Sequence, residues 1–431
     1  MDVRLSVPHG INNAAIKITG SKSETNRLLL LQALYKGIEI TNISESDDSL
    51  AMQAALANSS DIIDIHHAGT AMRFLTAYFA QKEGRSVLLT GSQRMKERPI
   101  GILVDALRSL GADIQYVENE GYPPLKITGK KLTGSNVTLQ ANVSSQYITA
   151  LLLIGAGLPN GLELTLQGEI TSLPYINMTL LLLEQAGIDI HFIDNTITVK
   201  PFGKSDSKLK AELAEQILNL KSKIVVESDW SSASYFYSIV ALAQEGTQIQ
   251  LSSYSPMSLQ GDCALAGIYE SFGVSTDFEG DTITLQKLNF EPKTLNLELN
   301  NTPDIAQTIA VTCFGLGLGC HLSGLHTLKI KETDRLEALK TELQKFGAQI
   351  TVNQDSLTLQ PHSLYTSQVG APHLKGVEVS VSTYNDHRMA MAFAPLAIKT
   401  PFTVQDAGVV SKSFPTFWED MQKLGFTING L

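Results

Sequence analysis

Residues 180–199 read Leu180-Leu181-Leu182-Leu183-Glu184-Gln185-Ala186-Gly187-Ile188-Asp189-Ile190-His191-Phe192-Ile193-Asp194-Asn195-Thr196-Ile197-Thr198-Val199, and they decide the fold. A helical run stops at a glycine, which adopts left-handed backbone at a helix C-terminus without steric cost. Segments 188–192 and 196–199 then read as strands, and the polar pair Asp194-Asn195 between them suits a tight hairpin turn. The same succession recurs at Leu110-Gly111-Ala112, Phe272-Gly273-Val274, Phe346-Gly347-Ala348 and, with one strand after it, Leu424-Gly425-Phe426. These glycines lie 76, 86, 74 and 78 residues apart, too far for a solenoid of short units. Each interval also holds an upstream helix and strand, as in 144–156 before 162–166. The chain is therefore α/β, built from similar βαβαββ modules. One period before Gly111 there is room for another module, but only 57–67 separates the helix after Asp48 from the next motif. That first unit is expected to lack its hairpin.

At 431 residues the chain has length for two or more domains, and 43% hydrophobic residues supply a large core. No apolar run approaches a membrane span, and the start Met1-Asp2-Val3-Arg4-Leu5-Ser6-Val7-Pro8 lacks the features of a signal peptide, so a cytoplasmic protein is expected. Cys263, Cys313 and Cys320 are odd in number and lack metal-ligand spacing, which reads as buried reduced thiols. A net charge of −10 argues against a broad basic surface for nucleic acid. Any anionic ligand must be held by a local cluster of cations.

Such clusters occur at helix starts, where unpaired N–H groups and the macrodipole favour anions. Lys331-Glu332-Thr333-Asp334-Arg335 opens a helix with Leu336, Leu339, Leu343 and Phe346 on one face, so Lys331, Glu332 and Arg335 are expected to project from one turn. Gly20-Ser21-Lys22-Ser23-Glu24-Thr25-Asn26-Arg27 starts another, with Ser21 and Glu24 spaced as a capping box; without the upstream glycine of a P-loop it does not read as a nucleotide site. Ala68-Gly69-Thr70-Ala71-Met72-Arg73 lets backbone approach a ligand closely, and Pro99 suits a first helical turn with Arg98 at its mouth. Ser144-Ser145-Gln146 and Ser172 to Tyr175 offer neutral hydrogen-bonding groups, for which simple capping is the alternative use. Pro303-Asp304 and Tyr384-Asn385-Asp386-His387-Arg388-Met389 begin helices in the C-terminal half, His387 reads as site-lining beside Arg388, and Lys412 follows in a Ser-Lys-Ser turn.

Taken together in this order, with Asp229 and Ser231 to Phe236 between the two halves, these motifs resemble the 3-phosphoshikimate 1-carboxyvinyltransferase (EPSP synthase) family over essentially the whole chain. The resemblance implies a two-domain enolpyruvyl transferase fold, each domain holding three βαβαββ units around a pseudo-threefold axis. One domain would be discontinuous (1–20 with 229–431) and the other central (21–228). It also implies transfer of the enolpyruvyl group of phosphoenolpyruvate to the 5-hydroxyl of shikimate 3-phosphate, with no metal or organic cofactor. The expected partners are these two small molecules, with neither nucleic acid nor membrane, acting on a monomer.

Residue by residue, the resemblance gives Asp304, Glu332 and Lys22 catalytic roles. It gives Lys22, Ser23, Arg27, Ser144, Ser145, Gln146, Ser172, Tyr175, Asp304 and Lys331 to shikimate 3-phosphate. It gives Lys22, Gly69, Thr70, Arg98, Gln146, Arg335, Arg388 and Lys412 to phosphoenolpyruvate, and leaves His387 lining the site. This sequence departs from the family pattern at His67, where asparagine is usual, at Phe74, where proline is usual, and at Thr327, which replaces a usual asparagine or similar polar residue. Two rivals are a UDP-N-acetylglucosamine enolpyruvyl transferase and a non-catalytic phosphometabolite sensor. The first is disfavoured by Lys22-Ser23, an intact Asn26-Arg27 and no cysteine before Cys263; the second by the presence of both Asp304 and Glu332. Because the implied phosphoenolpyruvate cations fall in both domains, mutual repulsion is expected to hold the empty enzyme open until anions bind.

Overall fold

The computed structural model describes residues 1–35, 37–142, 144–168, 170–202, 222–289, 291, 293–361 and 378–430. The chain forms two compact units, Met1–Thr19 with Glu227–Leu431, and Gly20–Val226. In chain order the strands are β1 (Val3–Ser6), β2 (Ala14–Ile16), β3 (Ile38–Thr41), β4 (Ile62–Asp64), β5 (Ser86–Thr90), β6 (Asp113–Tyr116), β7 (Leu125–Thr128), β8 (Asn136–Gln140), β9 (Leu162–Gln167), β10 (Ile190–Ile193) and β11 (Thr196–Val199). They continue as β12 (Ser222–Val225), β13 (Gln248–Ser252), β14 (Val274–Glu279), β15 (Thr282–Lys287), β16 (Leu295–Glu298), β17 (Cys320–Ser323), β18 (Ile350–Val352), β19 (Leu357–Leu359), β20 (Ser380–Val381), β21 (Phe402–Val404) and β22 (Thr427–Asn429).

Among the described residues, five four-stranded sheets share one order. The first strand runs parallel to the second, and the hairpin then adds its later strand before its earlier one, as in β8-β9-β11-β10. The hairpin follows a left-handed glycine each time, with φ of 104° at Gly111, 79° at Gly187, 72° at Gly273 and 93° at Gly347. Gly425 (φ 97°) precedes only β22, because the N-terminal strand β1 occupies the missing hairpin position between β21 and β22. The sequence repeat is thus a repeat of sheets.

The strand before each crossing pairs within its own unit. β2 lies parallel to β13 as the first strand of a sheet in the Glu227–Leu431 unit, and β12 lies parallel to β3 in the Gly20–Val226 unit. Gly20 sits where backbones press together: a Cβ there would lie 1.9 Å from the carbonyl oxygen of Asn42 and 2.8 Å from Val226 Cγ1, so no side chain fits without moving main chain. On the return, Glu227 is a half-buried anchor whose carboxylate accepts from Trp230 Nε1 (2.8 Å), Ser255 N (2.9 Å), the Ser258 hydroxyl and Gln260 Nε2 (3.2 Å). The first module is truncated as the sequence indicates: helix Asp47–Ala57 leads directly to β4, which belongs to the next sheet, and the described residues give β3 only β12 as a partner.

One helix of each module runs through the middle of its unit. In Gly20–Val226 these are Lys22–Leu34, Gly69–Gln81 and Ser145–Gly155, which pack on one another. In the other unit they are Trp230–Leu242, Ala306–Leu316 and His387–Phe393, the last continued by a turn at Ala394–Ile398. Every residue of Trp230–Leu242 is buried, its serines included. Two of its serines pair across helices, Ser234 with Thr308 at 3.1 Å and Ser238 with Thr312 at 2.8 Å. Cys313 and Cys320 are buried free thiols as expected, whereas Cys263 is only half-buried.

Candidate functional site

Within each unit, many of the implied site residues lie at or just before helix starts. In the Glu227–Leu431 unit the focus is Arg335, whose side chain is 2% exposed. Its Nε donates to Asp386 Oδ2 at 2.6 Å, Nη1 to Asp304 Oδ1 at 3.0 Å, and Nη2 to Glu332 Oε2 at 2.8 Å and Asp386 Oδ1 at 3.3 Å. Arg388 Nη2 reaches Asp304 Oδ2 at 3.2 Å while its Nη1 donates to the Asp304 carbonyl at 3.1 Å, and Lys331 Nζ stands 3.4 Å from Asp304 Oδ1. Asp304 thus meets three cations, and Arg335 meets three carboxylates. Burial by itself raises the Asp304 carboxyl, but Arg388, Lys331 and Arg335 together outweigh it and hold the group far below the usual carboxylate range. For Arg335 burial pulls downward, and Asp386, Glu332 and Asp304 outweigh that to keep it firmly protonated.

The local structure differs from the expected helical turn. Helix Arg335–Lys345 begins only at Arg335, with Asp334 as its N-cap accepting from Leu336 N (3.1 Å) and Glu337 N (3.2 Å). Lys331 and Glu332 therefore lie in the segment between the turn His326–Ile330 and the helix. They converge with Arg335 by loop geometry, because a side chain that satisfies two orphan N–H groups sets the helix start after them. Asp304 similarly sits in the short turn Pro303–Ile305 just before Ala306–Leu316. His387, the first residue of its helix, is buried beside Asp386 (Nδ1 to Oδ1, 3.8 Å).

The loop before that helix is pinned by its neighbours. Tyr384 and Asn385 both have left-handed backbone (φ 53° and 59°). Glu342 accepts from the Tyr384 hydroxyl at 2.6 Å and from Ser382 N at 3.0 Å, while Lys412 Nζ donates to the Asn385 carbonyl at 2.6 Å. For Tyr384 such backbone costs roughly 1–3 kcal/mol, which this network must offset.

In the Gly20–Val226 unit the cations meet mostly neutral groups. Arg27 is buried and donates to Thr179 Oγ1 (2.8 Å), the Ser23 carbonyl (2.6 Å), Thr149 Oγ1 (3.2 Å) and the Tyr175 carbonyl (3.2 Å), with the rings of Phe74 and Tyr175 about its guanidinium. Burial lowers it to about 10, only partly offset by Tyr175 and Glu24. Phe74, where the family pattern has proline, is therefore part of the wall that encloses Arg27.

Lys22 Nζ is 3.7 Å from Asp48 Oδ2. Gly69 and Arg98 touch so closely that a Cβ on Gly69 would lie 2.5 Å from Arg98 Nη1, and Gln146 Nε2 donates to Thr70 Oγ1 at 3.2 Å. Gly69 with Arg98, and Thr70 with Gln146, form one cradle at two helix starts. Ser144 caps its helix through Gln146 N (3.4 Å), with Ser145 as the first helical residue; Ser172, in left-handed backbone, precedes the helix carrying Tyr175.

Two expectations change in this unit, and one departure from the family pattern gains a partner. Ser21 is the N-cap of Lys22–Leu34 but its side chain makes no capping bond, so no capping box forms. Arg94 to Lys96 lie in a short helix of their own, Gln93–Lys96, and Pro99 precedes the next, Gly101–Ser109, leaving Arg98 in the link between them. His67, in the place of the usual asparagine, pairs with Asp47 (Nε2 to Oδ2, 3.7 Å) on the edge of a cavity of about 480 Å³ between helix Asp47–Ala57 and β4.

The premise of bare repelling cations also needs correction. Asp304, Glu332 and Asp386 already neutralise Arg335 and Arg388, and Asp48 lies near Lys22. Sequence reasoning passed over Asp386, Glu342 and Arg73. Asp386 was signalled by standing directly before His387-Arg388, at the N-cap position of an apolar helix. Arg73 lay inside a quoted motif; buried, it donates to the Gly69 carbonyl and the Pro99 carbonyl, both at 3.1 Å, and so ties together the two backbones of the Gly69–Arg98 contact. Glu342 carried no local signal, being one of several charges on an amphipathic helix.

Among known proteins, the EPSP synthase (3-phosphoshikimate 1-carboxyvinyltransferase) family profile matches residues 52–421. The 3-phosphoshikimate 1-carboxyvinyltransferase of Bacteroides fragilis strain YCH46 is 45% identical over 98% of both chains, and that of Colwellia psychrerythraea is 35% identical over 97% of this chain and 98% of its own. EPSP synthase from Acinetobacter baumannii superposes with a TM-score of 0.75 over 100% of both chains at 21% identity, and the enolpyruvyl transferase NikO from Streptomyces tendae with 0.69 over 99% and 98% at 13% identity. The two structures share the fold. With a matching profile over most of its length and relatives at 35–45% identity end to end, the chain belongs to the EPSP synthase family.

Proposed function

We propose that this chain transfers the enolpyruvyl group of phosphoenolpyruvate to the 5-hydroxyl of shikimate 3-phosphate, releasing phosphate, with Asp304 and Glu332 as its acid/base pair. The observation that carries this reading is the sharing of one buried guanidinium by both carboxylates, Arg335 to Asp304 at 3.0 Å and to Glu332 at 2.8 Å. In the addition, C3 of the enol gains a proton, the 5-hydroxyl loses one, and a C–O bond forms at C2. In the elimination, C3 loses a proton, the bond from C2 to the phosphate oxygen breaks, and phosphate leaves protonated. Both steps need two proton carriers with different affinities.

Asp304, held ionised by three cations, takes the 5-hydroxyl proton, and Glu332 serves C3. An anion so strongly stabilised is a weak base. A substrate phosphate and carboxylate that draw Arg388, Arg335 and Lys331 toward themselves raise its basicity at the moment it is needed. Lys22, Ser23, Arg27, Ser144, Ser145, Gln146, Ser172, Tyr175 and Lys331 bind shikimate 3-phosphate. Lys22, Gly69, Thr70, Arg98, Gln146, Arg335, Arg388 and Lys412 bind phosphoenolpyruvate, whose planar carboxylate and phosphate suit arginine forks. The reading carries with it a cytoplasmic monomer of aromatic amino acid biosynthesis, checked by sedimentation of the purified chain. The activity is tested by phosphate release: phosphoenolpyruvate with shikimate 3-phosphate should give it, and phosphoenolpyruvate with UDP-N-acetylglucosamine should not. The opposite pattern, or release with neither, overturns the proposal.

A further inference from the structure

We propose that Asp262 is a positioning residue, acting through the Ser231 hydroxyl to hold Arg388 against Asp304. Ser231 donates its proton to Asp262 Oδ2 and accepts from Arg388 Nη2 at 3.2 Å, and the same Nη2 donates to Asp304 Oδ2 at 3.2 Å. The four side chains form an unbroken chain from a buried carboxylate to the proposed base. Asp262 is 4% exposed, comes from the turn Gly261–Ala264, and its Oδ1 has no hydrogen-bond partner among the described residues. A buried carboxylate with one oxygen unpaired is costly unless it does something for its neighbours.

What it does is polarise Ser231. A hydroxyl that donates to a carboxylate presents a more negative lone pair, so Arg388 is gripped more firmly while Asp262 is ionised. The groups facing Asp262 are Asp304, on the turn before Ala306–Leu316; Arg388, on helix His387–Phe393; Asp229, the cap of Trp230–Leu242; and Ser231 on that helix, with Cys263 its chain neighbour. Burial and the Asp304 charge raise Asp262 to about 7, against the pull of Arg388 and Ser231. The grip on Arg388 therefore tightens as pH rises through neutrality.

The inference rests on the roles proposed above for Asp304 and Arg388, so the experiment includes Asp304→Asn and Arg388→Ala. Full-length wild type, Asp262→Asn and Ser231→Ala are compared by steady-state kinetics with both substrates from pH 6 to 8. Asp262→Asn is expected to lower kcat/KM for phosphoenolpyruvate on the order of tenfold, mostly through KM, with KM for shikimate 3-phosphate little changed. The variant should also lose the rise in kcat/KM near pH 7 that wild type shows beyond the substrate's own phosphate titration, which is common to both. Ser231→Ala should reproduce the loss, and the double variant should be no worse than either single one, since both break the same chain. Ser231→Ala alone serves if Asp262→Asn does not fold. Wild-type kinetics and pH profile in Asp262→Asn, or additive losses in the double variant, overturn the inference. If Asp304→Asn and Arg388→Ala are themselves silent, it is the reading of the site that fails.

Discussion

The two units answer their cations in opposite ways. Around Arg335 and Arg388 the partners are carboxylates: Asp304, Glu332 and Asp386 bring as much negative charge as the arginines and Lys331 bring positive. Around Arg27 they are carbonyls and hydroxyls, and Arg98 lies against a bare glycine with no carboxylate in ion-pair reach among the described residues. The first arrangement leaves the basicity of Asp304 dependent on cations that an anionic ligand can attract away, which is what the proposed proton transfer requires. The second leaves positive charge that no carboxylate offsets, which under the proposed function is available to a phosphate.

The largest effects should fall on the charge-compensated side. Glu332→Gln and Asp304→Asn are each expected to reduce kcat by ~10²–10⁴-fold while leaving substrate KM values within a few-fold, since neither removes a cation. Single-turnover phosphate release checks this. Near wild-type turnover in either variant would remove that carboxylate from the mechanism. Next comes stability. Arg335→Met strands three buried or half-buried carboxylates and should cost about 3–5 kcal/mol, whereas Arg27→Met leaves neutral oxygens unpaired at about 1–3 kcal/mol. Denaturant unfolding of the two variants would break the contrast if the order were reversed.

This contrast was half legible in the sequence. The sheets were visible because glycines at 111, 187, 273, 347 and 425 enforce a backbone that other residues resist, and that constraint is local. The cationic side chains were visible because they lie at helix starts. Their partners were not, since which carboxylate meets which arginine depends on side chains far apart in sequence, such as Arg335 with Asp386 across 51 residues. The Lys331 to Arg335 segment shows the limit: its spacing suits one helical turn, yet the capping power of Asp334 moves the helix start past Glu332. Nor did any spacing reveal that β1 and β12 complete sheets begun elsewhere, because strand pairing across such distances leaves no local trace.

On the anion-holding side, Gly69→Ala should raise KM for phosphoenolpyruvate by about tenfold, with KM for shikimate 3-phosphate changed far less. The added methyl meets the far end of a flexible, half-exposed Arg98 rather than backbone, so the arginine swings aside at modest cost to stability and is lost to the ligand. Unchanged KM for phosphoenolpyruvate would mean that Arg98 does not face it from the Gly69 cradle.

The smallest effect, and the one that isolates charge from chemistry, is on acid stability. The Asp304 carboxyl is depressed in the folded chain, net of burial, by Arg388, Lys331 and Arg335, relative to an unfolded value of roughly 4. A depressed carboxyl contributes stability that is fully present above the unfolded value and is lost as pH falls below it toward the folded one. Wild type should therefore lose stability from about pH 4 downward more steeply than Asp304→Asn, which has no proton to take up at this position. At neutral pH the variant should be the less stable of the two, because Arg388 and Lys331 lose an anionic partner, and the two curves should draw together on acidification. Arg27 supplies the comparison: its hydrogen-bond partners are carbonyls and hydroxyls that do not titrate in acid and only the Glu24 charge does, so Arg27→Met and wild type should diverge less over this range. Acid unfolding followed by circular dichroism decides it. Parallel curves for Asp304→Asn and wild type would mean that the three cations do not hold that carboxylate ionised, and the electrostatic difference between the two units would have to be sought in Asp386 and Glu332 alone.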